Sequence, residues 1–165
     1  MSGHAAPTEP LFTAERRAEL DAMGRHYPTR QALLLPALWI AQRAHGWVSP
    51  GAIDEIAAEL NLTPAYVRGV VTFYTMYHTH PVGRHFIQVC TTSPCLMCGA
   101  GDVVQALLEH TGCGDLGATS ADGRFTVMEV ECLGACGFVT PILIDDDFIE
   151  SVTPDKVSGI LQRYK

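Results

Sequence analysis

The chain has 165 residues, 47% of them hydrophobic, a formal net charge of −7 and a mean hydropathy of +0.13. Such a composition supports one medium domain or two small ones with a real core, and it excludes a disordered chain. Nucleic acid is excluded as a partner by the lack of any Lys/Arg cluster, and the longest apolar run, Ala32 to Ala41, is far short of the roughly 20 residues that span a bilayer.

Residues 1–12 read as a flexible tail, with no basic start or apolar stretch of the kind a secretory signal needs. Thr13 then caps a predicted helix from Ala14 to Met23, stopped by Gly24. Tyr27-Pro28 breaks the chain and Thr29 opens a helix from Arg30 to about His45. Leu33, Ala37, Ile40 and Ala44 share one face of it, and Pro36 predicts a kink or a late start because it lacks a backbone donor. Ser49-Pro50 and Thr63-Pro64 each place a capping hydroxyl before a proline at the first helical position, so two further short helices are expected. Residues 13–80 therefore read as a helical domain. Phe73, Tyr74 and Tyr77 near its end are expected in the core, with a partner-facing role as the alternative, and His78 and His80 are expected at the surface.

From about Pro81 the pattern changes, and residues 81–165 read as a second domain. Strands are expected at His85–Val89, Phe125–Val130, Pro141–Ile144 and Phe148–Ser151, with a hairpin turn at Asp145 to Asp147. Helices are expected from Gly99 to His110 and from Pro154 to Tyr164. The order β-α-β-β-β-α suits a small mixed sheet with helices packed on it, so the chain as a whole is α+β.

Six cysteines without an export signal point to a reducing compartment, the cytoplasm, where thiols serve metals or chemistry. Cys90, Cys95 and Cys98 follow the first strand, and Cys132 and Cys136 follow the second. Several ligand sets fit these spacings. A [2Fe–2S] cluster could take Cys90, Cys95, Cys132 and Cys136, one pair from each loop, with Gly99 and Gly134 letting backbone N–H groups approach the cluster. A plant-type arrangement would use Cys90, Cys95 and Cys98 but leaves a later cysteine idle and puts bulky Leu96 and Met97 in a tight loop. Zinc could take Cys95, Cys98, Cys132 and Cys136 and make the chain a zinc-stabilised binding module. Cys95 and Cys98 also have the spacing of a redox dithiol. No cysteine is followed closely by histidine, which removes a Rieske centre. Cys113, between glycines, is expected to be a packing residue, and Cys98 a half-buried bystander in the first turn of a helix. Glu129 and Glu131 beside the second loop would favour a low potential.

The runs Val71-Thr-Phe-Tyr-Thr-Met-Tyr77, Gln88-Val-Cys-Thr-Thr-Ser-Pro-Cys95 and Val130-Glu-Cys-Leu-Gly-Ala-Cys136, with Pro81-Val-Gly83, resemble one family. It is the family of the thioredoxin-like [2Fe–2S] E subunit of NADH:quinone oxidoreductase, respiratory complex I, and the likeness runs from about Leu20 to Tyr164. The resemblance implies a helical bundle followed by a thioredoxin-like ferredoxin domain, with Cys90, Cys95, Cys132 and Cys136 ligating one [2Fe–2S] cluster. It implies a partner flavoprotein subunit holding FMN and NADH, with which the cluster exchanges single electrons, in the cytoplasmic peripheral arm of a membrane-associated complex. Related subunits serve NAD-dependent formate dehydrogenases and hydrogenases. The resemblance assigns no role to Cys98 or Cys113. The chain has no nucleotide fingerprint or acid–base pair of its own, so no independent active site is expected.

Overall fold

A computed structural model describes residues 9–164; of the tail expected at residues 1–12, residues 1–8 lie outside the described residues. The chain divides into two compact units, one ending at Pro81 and the other beginning at Val82.

In the first unit the local signals set the helix starts. The Thr13, Ser49 and Thr63 hydroxyls each accept the N–H three residues on, from Arg16, Ala52 and Tyr66, and so open α1 (Ala14–Gly24), α3 (Pro50–Leu60) and α4 (Pro64–Phe73). Pro36 acts through a late start. Arg30–Leu33 forms a 3-10 turn, and α2 runs from Leu34 to His45, which puts the proline in its first turn. There the missing donor has no partner to lose. Gly46 then ends α2 in the left-handed conformation at φ 77°.

The core of this unit is made of apolar helix faces. Leu38 and Ala41 of α2, Ile56 of α3 and Val67 of α4 are fully or almost fully buried with Leu20 of α1. Leu11 and Phe12 belong to the same core, so these two are not part of a loose tail. Apolar burial draws them in, and the Leu11 N–H donates to Glu55 Oε2 at 2.8 Å. Of the three aromatic residues, only Tyr77 is internal. Its hydroxyl donates to the Leu35 carbonyl at 3.1 Å, whereas Phe73 and Tyr74 are exposed at the end of α4. The expectation of a common core site is corrected, because the helix turns its Val67/Val71 face inward and leaves Phe73 outside.

The second unit is built on a four-stranded mixed sheet in the order β2-β1-β3-β4, with β1 His85–Cys90, β2 Phe125–Val130, β3 Ile142–Ile144 and β4 Asp147–Ile149. β1 and β2 are parallel, which demands a crossover, while β3 and β4 are antiparallel neighbours. The crossover holds two helices, α5 (Ser93–Met97) and α6 (Ala100–Thr111), and α7 (Pro154–Leu161) follows the sheet. The sequence pattern does not predict α5. Ile87 and Val89 of β1, Phe125 and Val127 of β2, and Ile142 and Ile144 of β3 form the core with Leu107 of α6 and Val157 of α7.

Two details fix the sheet's entry. A Cβ on Gly83 would lie 2.6 Å from the Phe125 carbonyl carbon, so only glycine fits where β1 approaches β2. At the hairpin, Asp145 adopts φ 53°, and its carboxylate accepts the Phe86 N–H at 2.9 Å and meets His85 Nδ1 at 2.7 Å. Asp145 thus serves the turn and the start of β1, whereas Asp147, expected in the turn, opens β4 and accepts the Tyr164 hydroxyl at 2.7 Å.

Candidate metal centre

Because β1 and β2 run parallel, both cysteine loops leave the same end of the sheet. The register pairs Cys90, the last residue of β1, with Val130, the last of β2, and the Thr91 N–H donates to the Val130 carbonyl at 3.1 Å. The carboxyl ends of parallel strands are where such sheets gather ligands.

After Cys90 the chain turns at once into α5, with Thr92 at its cap and Pro94 in its first turn. This short helix folds Cys95 back onto Cys90. Both are at most 2% exposed, and their sulfurs are 3.3 Å apart. Two thiolates on one tetrahedral metal, each about 2.3 Å from it, stand about 3.8 Å apart, so the pair is close to the spacing that one metal atom needs. Ala100 completes this small buried group, with Leu133 and Val139 packed against it.

The two thiols differ sharply in acidity. Burial pushes the Cys90 thiol up, but hydrogen bonds from the Thr92 side chain and backbone, the Leu133 backbone and Cys95 outweigh it and hold the thiol at about 7. Burial also pushes Cys95 up, and the Cys90 hydrogen bond and the charges of Cys90, Cys136 and Cys132 add to it, to about 11. By themselves the two share a proton, and a cation between them is what would make both thiolates. The sequence signal for this environment is Thr91-Thr-Ser-Pro94, a helix-start signature as well as a compact loop.

The second loop has no helix or strand, and Cys132 and Cys136 are exposed. It is shaped by Gly134 at φ 77°, whose N–H donates to Cys132 Sγ at 3.3 Å. Nothing lies within 4 Å of a Cβ at Gly134, and a Cβ at Gly99 (φ 92°) would make only ordinary contact with Asp102. Both glycines are therefore needed for their positive φ, and the close-approach argument is corrected.

Cys98 sits at the C-cap of α5 and is exposed, so it is neither in a helix's first turn nor half-buried. Cys113 is buried, with its thiol donating to the Phe125 carbonyl at 3.4 Å, as a packing residue should. Among the described residues, no three His, Cys, Asp or Glu side chains are gathered closely enough to hold a single metal ion. A zinc site on Cys95, Cys98, Cys132 and Cys136 asks for four donors around one ion. The contact present is a pair, Cys90 with Cys95, with the charges of the second pair acting on Cys95. An all-thiolate set divided in this way, with a backbone N–H already directed at one sulfur, fits an iron–sulfur cluster.

Residues 20–165 match the family described as thioredoxin-like [2Fe-2S] ferredoxin. The chain belongs to that family. Over 154 residues this ferredoxin is 40% identical to the E subunit of NADH-quinone oxidoreductase from Pseudomonas aeruginosa, covering 93% of this chain and 92% of that protein. It is 38% identical over 157 residues to the mitochondrial NADH dehydrogenase [ubiquinone] flavoprotein 2 of Dictyostelium discoideum, spanning 93% of this chain but only 63% of that one. The ferredoxin also shares its fold with part of an NAD+-reducing [NiFe]-hydrogenase in the H2-reduced state, at a TM-score of 0.67 and 20% identity, over 79% of this chain and 22% of that one. No helix among its described residues is long and apolar enough to cross a membrane.

Proposed function

We propose that this ferredoxin is the electron-transfer subunit of an NADH-oxidising complex, that Cys90, Cys95, Cys132 and Cys136 hold its single [2Fe–2S] cluster, and that the partner is a flavoprotein subunit carrying FMN and NADH. The observation that carries the reading is 40% identity to an E subunit of NADH-quinone oxidoreductase across 93% of the chain. The Cys90–Cys95 contact and the shared sheet end of the two loops support the ligand set. When bound, the cluster supplies reversible one-electron chemistry. The chain's own residues do the rest. Cys90 and Cys95 offer one buried pair of donors, and Cys132 and Cys136 offer an exposed pair. Thr92 and Gly134 direct hydrogen bonds at two of the four sulfurs. Ala100, Leu133 and Val139 keep water from the buried side. We assign no catalytic residue to this chain, and we place it in the cytoplasmic peripheral arm of its complex. The same subunit type within an NAD-linked formate dehydrogenase or hydrogenase is the second reading. For the hydrogenase the likeness extends to the fold alone.

Iron and acid-labile sulfide analysis with a visible spectrum tests the cluster. Two irons and two sulfides per chain are expected. A colourless protein holding zinc would overturn the reading. Cys132→Ser should abolish or strongly perturb the spectrum, whereas Cys113→Ser and Cys98→Ser should leave it nearly unchanged. Equal damage from Cys132→Ser and Cys113→Ser would show that the ligand set is wrong, and loss of a dithiol activity in Cys98→Ser would mark a thiol oxidoreductase instead. Isolating the native chain with its neighbouring polypeptide identifies the complex.

A further inference from the structure

We propose that the Thr140 hydroxyl donates a hydrogen bond to a sulfur on the buried side of the cluster and thereby raises its reduction potential. This rests on the function and the ligand set proposed above, neither of which gives Thr140 a role.

The first observation is a donor with nothing to bond. Thr111, Ser120, Thr126 and Thr140 are the buried hydroxyl residues of the second unit among the described residues. Thr111 Oγ1 donates to the Leu107 carbonyl at 2.7 Å, Ser120 Oγ donates to Asp122 Oδ1 at 2.6 Å, and Thr126 Oγ1 meets Thr119 Oγ1 at 2.9 Å. Thr140 is 2% exposed, and its Oγ1 has no partner among the described residues. A buried hydroxyl in that state is worse than the methyl group valine would put there.

The second observation is where this hydroxyl lies. β3 runs antiparallel to β1, so the residues leading into β3 lie at the end of the sheet where β1 finishes in Cys90. Both neighbours of Thr140 touch the site. Val139 packs against the buried group of Cys90, Cys95 and Ala100, and the Pro141 carbonyl accepts the Cys90 N–H at 3.3 Å. The Thr140 carbonyl in turn accepts the Val152 N–H at 2.9 Å, which holds this stretch of backbone in place.

The third observation is a sulfur short of donors in the same place. Cys90 Sγ has the Thr92 hydroxyl at 3.6 Å, and Cys132 Sγ has the Gly134 N–H at 3.3 Å. Cys95 Sγ has a contact with Cys90 Sγ, in which it is the donor. Cys95 is also 1% exposed, so solvent does not serve it. As a cluster ligand it is a thiolate and can only accept. Loading the cluster therefore creates new acceptors, that thiolate and the inorganic sulfides, in the part of the fold that holds an idle donor. Reduction adds one negative charge there, so the bond is strongest in the reduced state and raises the potential. The exposed Glu129 and Glu131 act in the opposite sense.

The test is a redox titration of the cluster-loaded chain, followed by its visible spectrum. Thr140→Val keeps the shape of the side chain and removes the hydroxyl. It should lower the reduced-to-oxidised ratio at a fixed applied potential by about tenfold, which is about 59 mV for one electron. Thr140→Ser keeps the hydroxyl and should stay within about twofold of the wild type. Thr111→Val removes a buried hydroxyl that is bonded to the Leu107 carbonyl, and it should leave the ratio unchanged. In deuterated water, the reduced wild type should show an exchangeable deuteron coupled to the cluster spin that Thr140→Val lacks. If Thr140→Val does not hold a cluster, Thr140→Ala reads the loss of the same hydroxyl. A ratio within about twofold of the wild type in the hydroxyl-free variant, or an equal fall in Thr140→Ser, would overturn the assignment while the proposed function stands. If the wild type itself holds no [2Fe–2S] cluster, the proposed function fails as well.

Discussion

The helical unit and the sheet unit solve the problem of stability differently. Up to Pro81 the chain is almost neutral, with seven acidic and six basic residues, and its helices are opened by hydroxyl caps over one continuous apolar core. Its surface ion pairs, Arg17 with Glu59 and Arg30 with Glu59 among them, are exposed and contribute little each. From Val82 the chain is strongly acidic, and its buried residues fall into two groups, the second of which contains two thiols. Burying thiols of such different acidity is no gain for packing alone. The contrast teaches that the first unit is a product of side-chain burial, whereas the cysteine end of the second is shaped for a ligand.

Both tryptophans, Trp39 and Trp47, lie in the helical unit, so their fluorescence reports on it while visible absorption reports on the cluster end. The largest expected effect is confined to the second unit. Cys95→Ser should abolish the visible absorption and leave the fluorescence-monitored denaturation midpoint unchanged; a large shift in that midpoint would break the comparison. Next, Ile56→Ala should empty part of the first core and lower the fluorescence-monitored stability by about 2–5 kcal/mol, with the native absorption spectrum retained. Gly83→Ala is its counterpart in the sheet unit. The added methyl group meets the Phe125 backbone, and thermal bleaching of the cluster should reflect a loss of about 1–3 kcal/mol. Ser49→Ala removes the cap of α3 and should cost about 1 kcal/mol by the fluorescence probe.

The smallest effect is one of pH. Burial, then the Arg16 charge, lowers the His45 pKa below its ordinary 6.5, and neither ring nitrogen has a hydrogen-bond partner among the described residues. The unfolded chain thus takes up this proton more readily than the folded one. The stability involved is fully present above pH 6.5 and is lost as pH falls from there through the folded value. Fluorescence-monitored denaturation at falling pH should show this loss, and His45→Gln should flatten it.

Much of the molecule is legible because its signals are local. Ser49-Pro50 and Thr63-Pro64 fix two helix starts to the residue, and the β-like run Phe125 to Val130 marks β2 with its full length. The departures from expectation share one cause, which is dependence on distant residues. Leu11 and Phe12 look like tail because the core that takes them is supplied by helices far along the chain. Phe73 and Tyr74 look like core because their composition is apolar, but the face a helix buries is chosen by what packs on it. α5 escapes notice because one turn of helix is too short to show a period.

The sequence by itself determined that two groups of cysteines follow two strands, since strand propensity, caps and spacing are written in neighbouring residues. It left open which thiols meet. Only the tertiary structure decided that, through the parallel pairing that ends Cys90 beside Val130 and the turn of α5 that sets Cys95, not Cys98, against Cys90. Register and the path of a crossover are collective outcomes of burying the Ile87/Val89 face of the sheet with Leu107 of α6 and Val157 of α7, and no short stretch of sequence contains them.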